Sequence, residues 1–309
     1  MKTTPVTRAD LERSVIAVPP LARNADLSLN PEENRKLVRH LEQGGVSTLL
    51  YGGNANLYNI GVGEFPRLLA MLRDIAGAES WIIPSLGPDY GKAMDQAAIL
   101  RDFDFPTAMM LPMSFGATPA GVATAIARVA DEARRPLTAY VKSDHYLAPA
   151  DLAALIRDGA ICSVKYAVVR DDPSNDAYLA SILDAVESSY VVSGIGERPV
   201  LDHLPKFGLT GFTSGSVCVA PNLSMAILRA LKRGDVAEAA ALRDHFLPLE
   251  DLRDGISPIR VLHEAVTLSG VADMGPMLPM FSNLADADQL AAIRAAAAVL
   301  LAADRAFAG

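Results

Sequence analysis

One apolar run decides how this chain folds: Ile161-Cys162-Ser163-Val164-Lys165-Tyr166-Ala167-Val168-Val169, which carries a single charge near its middle. Side chains alternate between the two faces of a strand, so Lys165 points either into a closed barrel or onto a layer of helices. Against packed helices, an unpaired ammonium group would lose its hydration at a cost of several kcal/mol. The run therefore predicts a buried strand whose lysine lies inside a barrel, near the carboxyl end.

Short apolar runs alternate with longer amphipathic stretches on both sides of this strand. The other runs that predict strands are Val15–Pro19, Val46–Tyr51, Trp81–Leu86, Thr107–Leu111, Leu137–Val141, Tyr190–Ser193 and Leu209–Thr213. The stretches that predict helices are Pro31–Gln43, Glu64–Ile75, Ala120–Ala133, Ala150–Ile156 and Asn222–Leu231. This alternation predicts an α/β fold, a (β/α)8 TIM barrel. An open doubly wound sheet is the alternative, but the first strand is followed by Pro19–Arg23 and not by a glycine-rich phosphate loop.

The pattern changes after Gly234, where predicted helices follow one another without a strand between them. These helices are Val236–Arg253, Pro258–Leu268 and Ala287–Phe307. We therefore expect a catalytic barrel over residues 1–234 and a C-terminal helical extension over 235–309. The most apolar late stretch, Ala295–Ala303, is shorter than the roughly 20 residues of a membrane-spanning helix and is expected to be buried or at an interface.

Composition excludes several classes of partner. The 309 residues carry a net charge of −8, which argues against nucleic acid. The polar start MKTTPVTRADLERS lacks the apolar core of a signal peptide, so we expect a cytoplasmic protein with no membrane partner. Cys162 and Cys218 each lie in an apolar run that predicts a strand and a buried thiol. Only His145 lies near a strand end among the five histidines, so neither a metal nor another cofactor is expected.

Lys165 has a chemical use inside a barrel. Burial disfavours the charged amine and lowers its pKa, and the neutral amine is the form that condenses with a carbonyl group. A buried lysine paired with a carboxylate is the alternative. Ser163 and Ala167 lie on the same face and are small enough to let a substrate approach.

Two further strand ends carry polar groups. Tyr140 and Lys142 share one face of the fifth strand, where a phenol beside an amine can transfer protons, although a core tyrosine would give the same pattern. The second strand ends in Tyr51-Gly52-Gly53-Asn54-Ala55-Asn56, whose backbone N–H groups could hold a carboxylate or simply form a tight turn.

Taken in order, GGNAN after the second strand, Tyr140 in the fifth and Lys165 in the sixth resemble the dihydrodipicolinate synthase/N-acetylneuraminate lyase family over nearly the whole chain. The resemblance implies class I aldolase chemistry through a lysine imine with pyruvate, in a homo-oligomer that is a tetramer or a dimer. It implies Lys165 and Tyr140 as catalytic residues. The residues that it implies for substrate binding, together with the strand-end pattern, are Gly53, Asn54, Ala55, Lys142 and Gly194.

Departures from the family pattern point to the reaction. Val141-Lys142-Ser143-Asp144-His145 lacks the arginine with which the synthases bind the carboxylate of their second substrate, and Leu111–Phe115 lacks their paired tyrosines. We therefore expect a Schiff-base lyase, an aldolase or a dehydratase, that acts on pyruvate or a 2-keto-3-deoxy sugar acid. The alternatives are 4-hydroxy-tetrahydrodipicolinate synthase and a barrel that binds a small acid without turnover.

Overall fold

Eight parallel strands form the centre of the molecule in a computed structural model that describes all of residues 1–309. Their bounds are β1 Ile16–Ala17, β2 Thr48–Tyr51, β3 Trp81–Leu86, β4 Ala108–Met110, β5 Leu137–Val141, β6 Ile161–Tyr166, β7 Val191–Ser193 and β8 Thr213–Ser214. Neighbours pair in the order β7-β6-β5-β4-β3-β2-β1-β8, and a parallel bridge between Ser193 and Phe212 joins the two ends. The predicted (β/α)8 barrel is therefore confirmed.

Thirteen helices surround the barrel and follow it. Their bounds are α1 Arg8–Glu12, α2 Pro31–Gln43, α3 Phe65–Ile75, α4 Tyr90–Leu100, α5 Pro119–Ala133, α6 Pro149–Arg157, α7 Ala177–Ala185, α8 Val200–His203, α9 Pro221–Lys232, α10 Val236–Asp244, α11 Leu247–Gly255, α12 Pro258–Ser269 and α13 Ala287–Ala308. None of them combines the length and apolar character needed to cross a membrane.

The C-terminal helices differ in one respect from the sequence pattern. A single helix over Val236–Arg253 was expected, whereas the structure has α10 and α11. Pro248 lies in the first turn of α11, and a proline ring inside a continuous helix would clash with the preceding turn and remove a hydrogen bond. The division at residues 234 and 235 stays a prediction.

The last strand lies later than its pattern suggested. Gly208 has a φ of +70°, which turns the chain before residue 209, and β8 forms only at Thr213–Ser214. The expected strand at Cys218 is wrong. Ser214 Oγ accepts a hydrogen bond from the Val217 N–H at 3.0 Å, and this side-chain contact bends Ser216–Cys218 into a helical turn. Cys218 is buried, Cys162 is partly buried in β6, and both are free thiols.

A β-bulge in β6 sets the register on which the site depends. Leu137 pairs with Ile161 but Thr138 pairs with Ser163, so Cys162 is an extra residue on its strand. The shift brings Tyr140 beside Lys165. One layer deeper, the hydroxyls of Thr138 and Ser163 lie 2.8 Å apart and hydrogen bond inside the barrel.

Candidate active site

A cavity of about 160 Å³ lies at the carboxyl ends of the strands. Six of the residues predicted for the site line it, namely Gly53, Asn54, Tyr140, Lys142, Lys165 and Gly194. Ala55 is not on this wall; it is buried behind the loop and faces a smaller space beside Arg23 and His263. A larger cavity of about 790 Å³ lies along α5, but Arg128 is its only charged lining residue. The chemistry therefore belongs to the smaller cavity.

Lys165 is buried without any carboxylate partner. It is 4% exposed, and its Nζ lies 4.4 Å from the centroid of the Tyr140 ring. Burial, and in second place the positive charge of Lys142, lower the pKa of Lys165 to about 7. A large fraction of this amine is therefore neutral near physiological pH, which is the form that attacks a carbonyl group.

Gly194 provides room for that lysine. A Cβ atom at this position would lie 3.0 Å from Lys165 Cγ and 2.6 Å from the carbonyl oxygen of Tyr166. Any side chain would therefore displace the strand that carries the nucleophile. Gly194 therefore leaves space beside Lys165, and only its backbone could contact a ligand.

Tyr140 contacts Lys165 through its ring and not through its hydroxyl. We expected the phenol within hydrogen-bond reach of the amine, but no such bond joins them and Nζ faces the aromatic ring. Burial raises the pKa of Tyr140 to about 12, so its hydroxyl keeps its proton at neutral pH. The hydroxyl is then a donor for oxygen atoms of a ligand bound at Lys165.

The loop after β2 offers unused hydrogen-bond donors. The backbone N–H groups of Gly53, Asn54 and Ala55 have no acceptor within the protein. Asn54 Nδ2 donates to the carbonyl oxygen of Val18 at 2.9 Å, which ties the loop to the end of β1 and leaves one of its two N–H bonds free. Consecutive free N–H groups of this kind form a concave site for an anion.

Lys142 lies at the mouth of the cavity. Its side chain reaches solvent, and it forms no hydrogen bond and no ion pair. The cavity wall partly desolvates the ammonium group and thereby lowers the pKa of Lys142. Nearby, Asp144 is held by Arg170 Nη1 at 2.8 Å, so this carboxylate is not free to face a ligand.

Several residues of the cavity were missed by the sequence analysis, among them Tyr58 and Arg253. Tyr58 follows the β2 loop and lines the wall, where burial raises the pKa of its hydroxyl. Arg253 comes from α11 in the C-terminal extension and reaches the same cavity. Neither position carries a pattern in the sequence, because only the folded chain brings these segments to the barrel mouth.

A second buried ionic cluster lies behind Gly196. Glu197 accepts hydrogen bonds from Ser214 Oγ at 2.8 Å and Ser224 Oγ at 2.7 Å, and both it and Glu250 are 0% exposed. Burial raises the pKa of both carboxyls, but Arg253 lies 3.1 Å from Glu250 Oε1 and favours the charged form there. Glu197 is therefore the member of the pair that holds the proton.

Metal ligands are not grouped in this molecule. No cluster of three or more His, Cys, Asp or Glu side chains has an arrangement that could hold a metal ion. The cavity is lined instead by amines, phenols, a guanidinium group, amides and a hydroxyl, and its one carboxylate, Asp254, is bonded to Arg253 at 2.9 Å.

A (β/α)8 barrel with an unpaired buried lysine at the carboxyl ends of its strands has the architecture of a class I aldolase. The chain belongs to the dihydrodipicolinate synthetase family, whose sequence profile matches residues 13–296. This membership supports an enzyme of the pyruvate-dependent Schiff-base lyase type. No curated protein sequence matches the chain.

Solved structures resemble this one over nearly their full lengths. Dihydrodipicolinate synthase from Bacillus clausii has 18% identity and a TM-score of 0.80, with 97% of this chain and 100% of that chain covered. YagE, a prophage protein of the dihydrodipicolinic acid synthase family from E. coli K12 in complex with pyruvate, has 22% identity and a TM-score of 0.79, with 93% and 98% covered. The 4-hydroxy-tetrahydrodipicolinate synthase of Methylacidiphilum fumariolicum SolV has 14% identity and a TM-score of 0.82, with 96% and 99% covered. At these identities the likeness shows the fold alone.

Proposed function

We propose that the protein is a lyase that forms a Schiff base between Lys165 and a 2-oxo acid, either pyruvate or a 2-keto-3-deoxy sugar acid. One observation carries the proposal: a fully buried lysine without a carboxylate partner, whose pKa is lowered to about 7, faces a cavity at the carboxyl ends of the strands. A structural lysine would be paired, since an uncompensated buried charge destabilises the fold.

The proposed reaction begins when neutral Lys165 attacks C2 of the substrate to form a carbinolamine. The carbinolamine hydroxyl takes a proton, for which Tyr140 is the proposed donor, and leaves as water to give an imine. The protonated imine then accepts the electron pair of the C3–C4 bond as that bond breaks, while the phenolate left on Tyr140 takes the proton of the C4 hydroxyl, so that an aldehyde leaves and an enamine remains. In a dehydration the phenolate instead takes a C3 proton, and the C4 hydroxyl takes that proton from Tyr140 and leaves as water. Protonation at carbon and attack of water on the imine then release the product and regenerate the amine of Lys165. The N–H groups of the Gly53–Ala55 loop are proposed to hold the C1 carboxylate throughout.

The lysine-pathway synthase is the second candidate, and the lack of a free carboxylate at the cavity rim argues against it. Its amino-aldehyde substrate carries an ammonium group, for which a free carboxylate would be needed. Asp144 is bonded to Arg170, and Asp254 is bonded to Arg253 at 2.9 Å. With both carboxylates already paired, the rim favours a substrate without an amino group.

A coupled assay on the purified protein tests the proposal. Pyruvate with borohydride should reduce a covalent adduct onto Lys165, which mass spectrometry of peptides would locate. Incubation with a set of 2-keto-3-deoxy acids should consume them, with release of pyruvate or loss of water. Strong activity on pyruvate plus aspartate semialdehyde, and none on the deoxy acids, would identify the synthase. An adduct without turnover of any compound would identify a non-catalytic acid-binding barrel.

The proposed assembly is a homo-oligomer, a tetramer or a dimer. Large apolar side chains that stand in solvent on the single chain support it, with Phe115 83% exposed and Met280 89% exposed. Sedimentation of the purified protein measures the state directly, and a monomer at micromolar concentration would contradict this proposal.

A further inference from the structure

Arg253 places an unused hydrogen-bond donor beside the cavity. Its side chain is 6% exposed; Nη1 donates to Glu250 at 3.1 Å and Nε to Asp254 at 2.9 Å. Nη2 is buried and has no partner. Leaving such an N–H group unpaired costs about 1–3 kcal/mol, so a native structure retains it when a ligand or water supplies the acceptor.

The position of Arg253 relative to Lys165 indicates which part of a substrate this donor could bind. Nη1 packs against Gly196, which follows β7, and Lys142 follows Tyr140 at the end of β5. Strands β5 and β7 are the two neighbours of β6, the strand of Lys165, whereas β2 lies across the barrel from it. Consider a substrate whose C1 carboxylate lies at the β2 loop and whose C2 is bonded to Lys165 on β6. The rest of its carbon chain then extends along the β6 side of the cavity, where Arg253 and Lys142 lie on either side.

We propose that this substrate carries a second carboxylate at its far end, bound by Arg253 Nη2 and the ammonium of Lys142. The inference rests on the proposed Schiff-base function and narrows its substrate to 2-oxo dicarboxylic acids. Arginine N–H groups match the geometry of a carboxylate, and hydrogen bonds to charged groups are about twice as strong as neutral ones.

Charge and size both favour this class. Lys142 has no acidic partner, and the acidic partners of Arg253 compensate its charge but not that of Lys142. Once Lys165 has become a protonated imine, the C1 carboxylate balances that charge, and the positive charge of Lys142 remains for a second carboxylate. A cavity of about 160 Å³ is below the roughly 300–1,000 Å³ of drug-sized ligand sites, so a short chain fits it best.

A matched pair of five-carbon substrates tests the inference. 4-Hydroxy-2-oxoglutarate and 4,5-dihydroxy-2-oxopentanoate differ only at C5, which is a carboxylate in the first and a CH2OH group in the second. Cleavage of C3–C4 converts both to pyruvate, with glyoxylate or glycolaldehyde as the other product. We expect kcat/KM for consumption of the dicarboxylate to be higher by about 10- to 100-fold, where each factor of ten corresponds to about 1.4 kcal/mol.

Two variants should remove that preference. Lys142→Met and Arg253→Lys should each lower the ratio of the two kcat/KM values by about tenfold, and Arg253→Lys retains a charge opposite Glu250 so that the fold is kept. The ratio cancels any effect of Lys142 on the reactivity of Lys165. Lys206→Met, an exposed lysine outside the cavity, is the control and should leave the ratio unchanged.

The possible results separate this inference from the function on which it rests. Absence of a pyruvate adduct on the wild-type protein would end the proposed Schiff-base function. A normal adduct with equal or better use of the dihydroxy acid would overturn the second-carboxylate site alone. The same holds if the wild type prefers the dicarboxylate but both variants keep the full preference.

Discussion

The molecule contains two buried ionic regions that neighbour each other and are built in opposite ways. Around Lys165 the buried charge has no partner: the amine faces an aromatic ring, and the nearest charged group in the cavity is another lysine. Around Glu197, both carboxyl oxygens accept hydrogen bonds from serine hydroxyls, and the adjacent Glu250 has Arg253 as its counter-ion.

This difference shows how the two regions divide their roles. The network around Glu197 and Glu250 holds the C-terminal α11 against the end of the barrel, and its charges are compensated within the protein. An unpaired amine is unfavourable for stability but is a better nucleophile, because its neutral form is populated. Arg253 belongs to both regions, since two of its nitrogens are paired and the third is not.

The largest expected effect comes from Lys165→Ala. Turnover should fall on the order of 10⁵-fold or more, and the borohydride-trapped adduct should disappear, because no other amine is so placed. Thermal unfolding should show equal or higher stability, since the cost of burying the amine is removed. Lys206→Ala is the matched control. A persistent adduct in Lys165→Ala would show that the unpaired lysine is not the nucleophile.

Tyr140→Phe should keep the ring under Lys165 and remove only the hydroxyl. Loss of a proton donor typically lowers the rate by about 100- to 10,000-fold. Single-turnover formation of the imine measures this step directly. Tyr146→Phe, a tyrosine outside the cavity whose hydroxyl accepts from the Met113 N–H, is the control. Near wild-type rates for Tyr140→Phe would reduce Tyr140 to a packing residue.

Asn54→Leu should weaken pyruvate binding by about tenfold, since it removes an amide donor and the tie to Val18 that holds the loop N–H groups in place. The concentration dependence of adduct formation gives the constant, and circular dichroism checks the fold. Asn24→Leu, on an exposed loop, serves as the control. A ligand-bound structure with the carboxylate away from this loop would contradict the assignment.

Lys142→Met should change the pH dependence of imine formation at Lys165. The positive charge of Lys142 helps to lower the pKa of Lys165 to about 7, and imine formation needs the neutral amine. Activity in the wild type should therefore rise with pH up to about 7 and then level off. Without Lys142 the pKa of Lys165 is higher, so the rise moves to higher pH and the rate at pH 7 falls about tenfold. Pyruvate trapping across pH 5–10 measures it, and an unmoved profile would exclude the coupling.

The smallest effect is expected around Glu197, on the stability of the fold. Burial raises the pKa of Glu197 above its ordinary value of 4.5, so the folded protein binds a proton that the unfolded chain releases above that pH. Wild-type stability should therefore fall as the pH rises above about 4.5. Glu197→Gln removes this pH dependence. At neutral pH the free energy of unfolding of this variant should therefore exceed that of the wild type by about 1–3 kcal/mol. Urea unfolding at several pH values checks it, with Glu187→Gln as an exposed control; parallel curves would mean that Glu197 is ionised.

Periodicity made the barrel and the faces of its strands predictable, because alternation and apolar runs report local geometry. It could not report the bulge at Cys162. Without that extra residue, Tyr140 would pair with Val164 and Lys165 with Val141, so the central contact of the site depends on a register that no local pattern reveals. Arg253 was missed for a related reason, since the packing of a distant helix onto the barrel mouth leaves no signal in spacing.

The closure of the barrel has a consequence for motion. β5 and β6 share five residue pairs, four of them in one register beyond the bulge, whereas the two ends of the sheet meet through a single bridge between Ser193 of β7 and Phe212, the residue before β8. Amide protons along this seam should exchange with solvent sooner than those of β5 and β6, because fewer hydrogen bonds must break to open it. Lys165 thus lies on the pair of strands with the most backbone pairing, and we expect the cavity wall beside the seam, which includes Gly194 and Gly215, to open more readily.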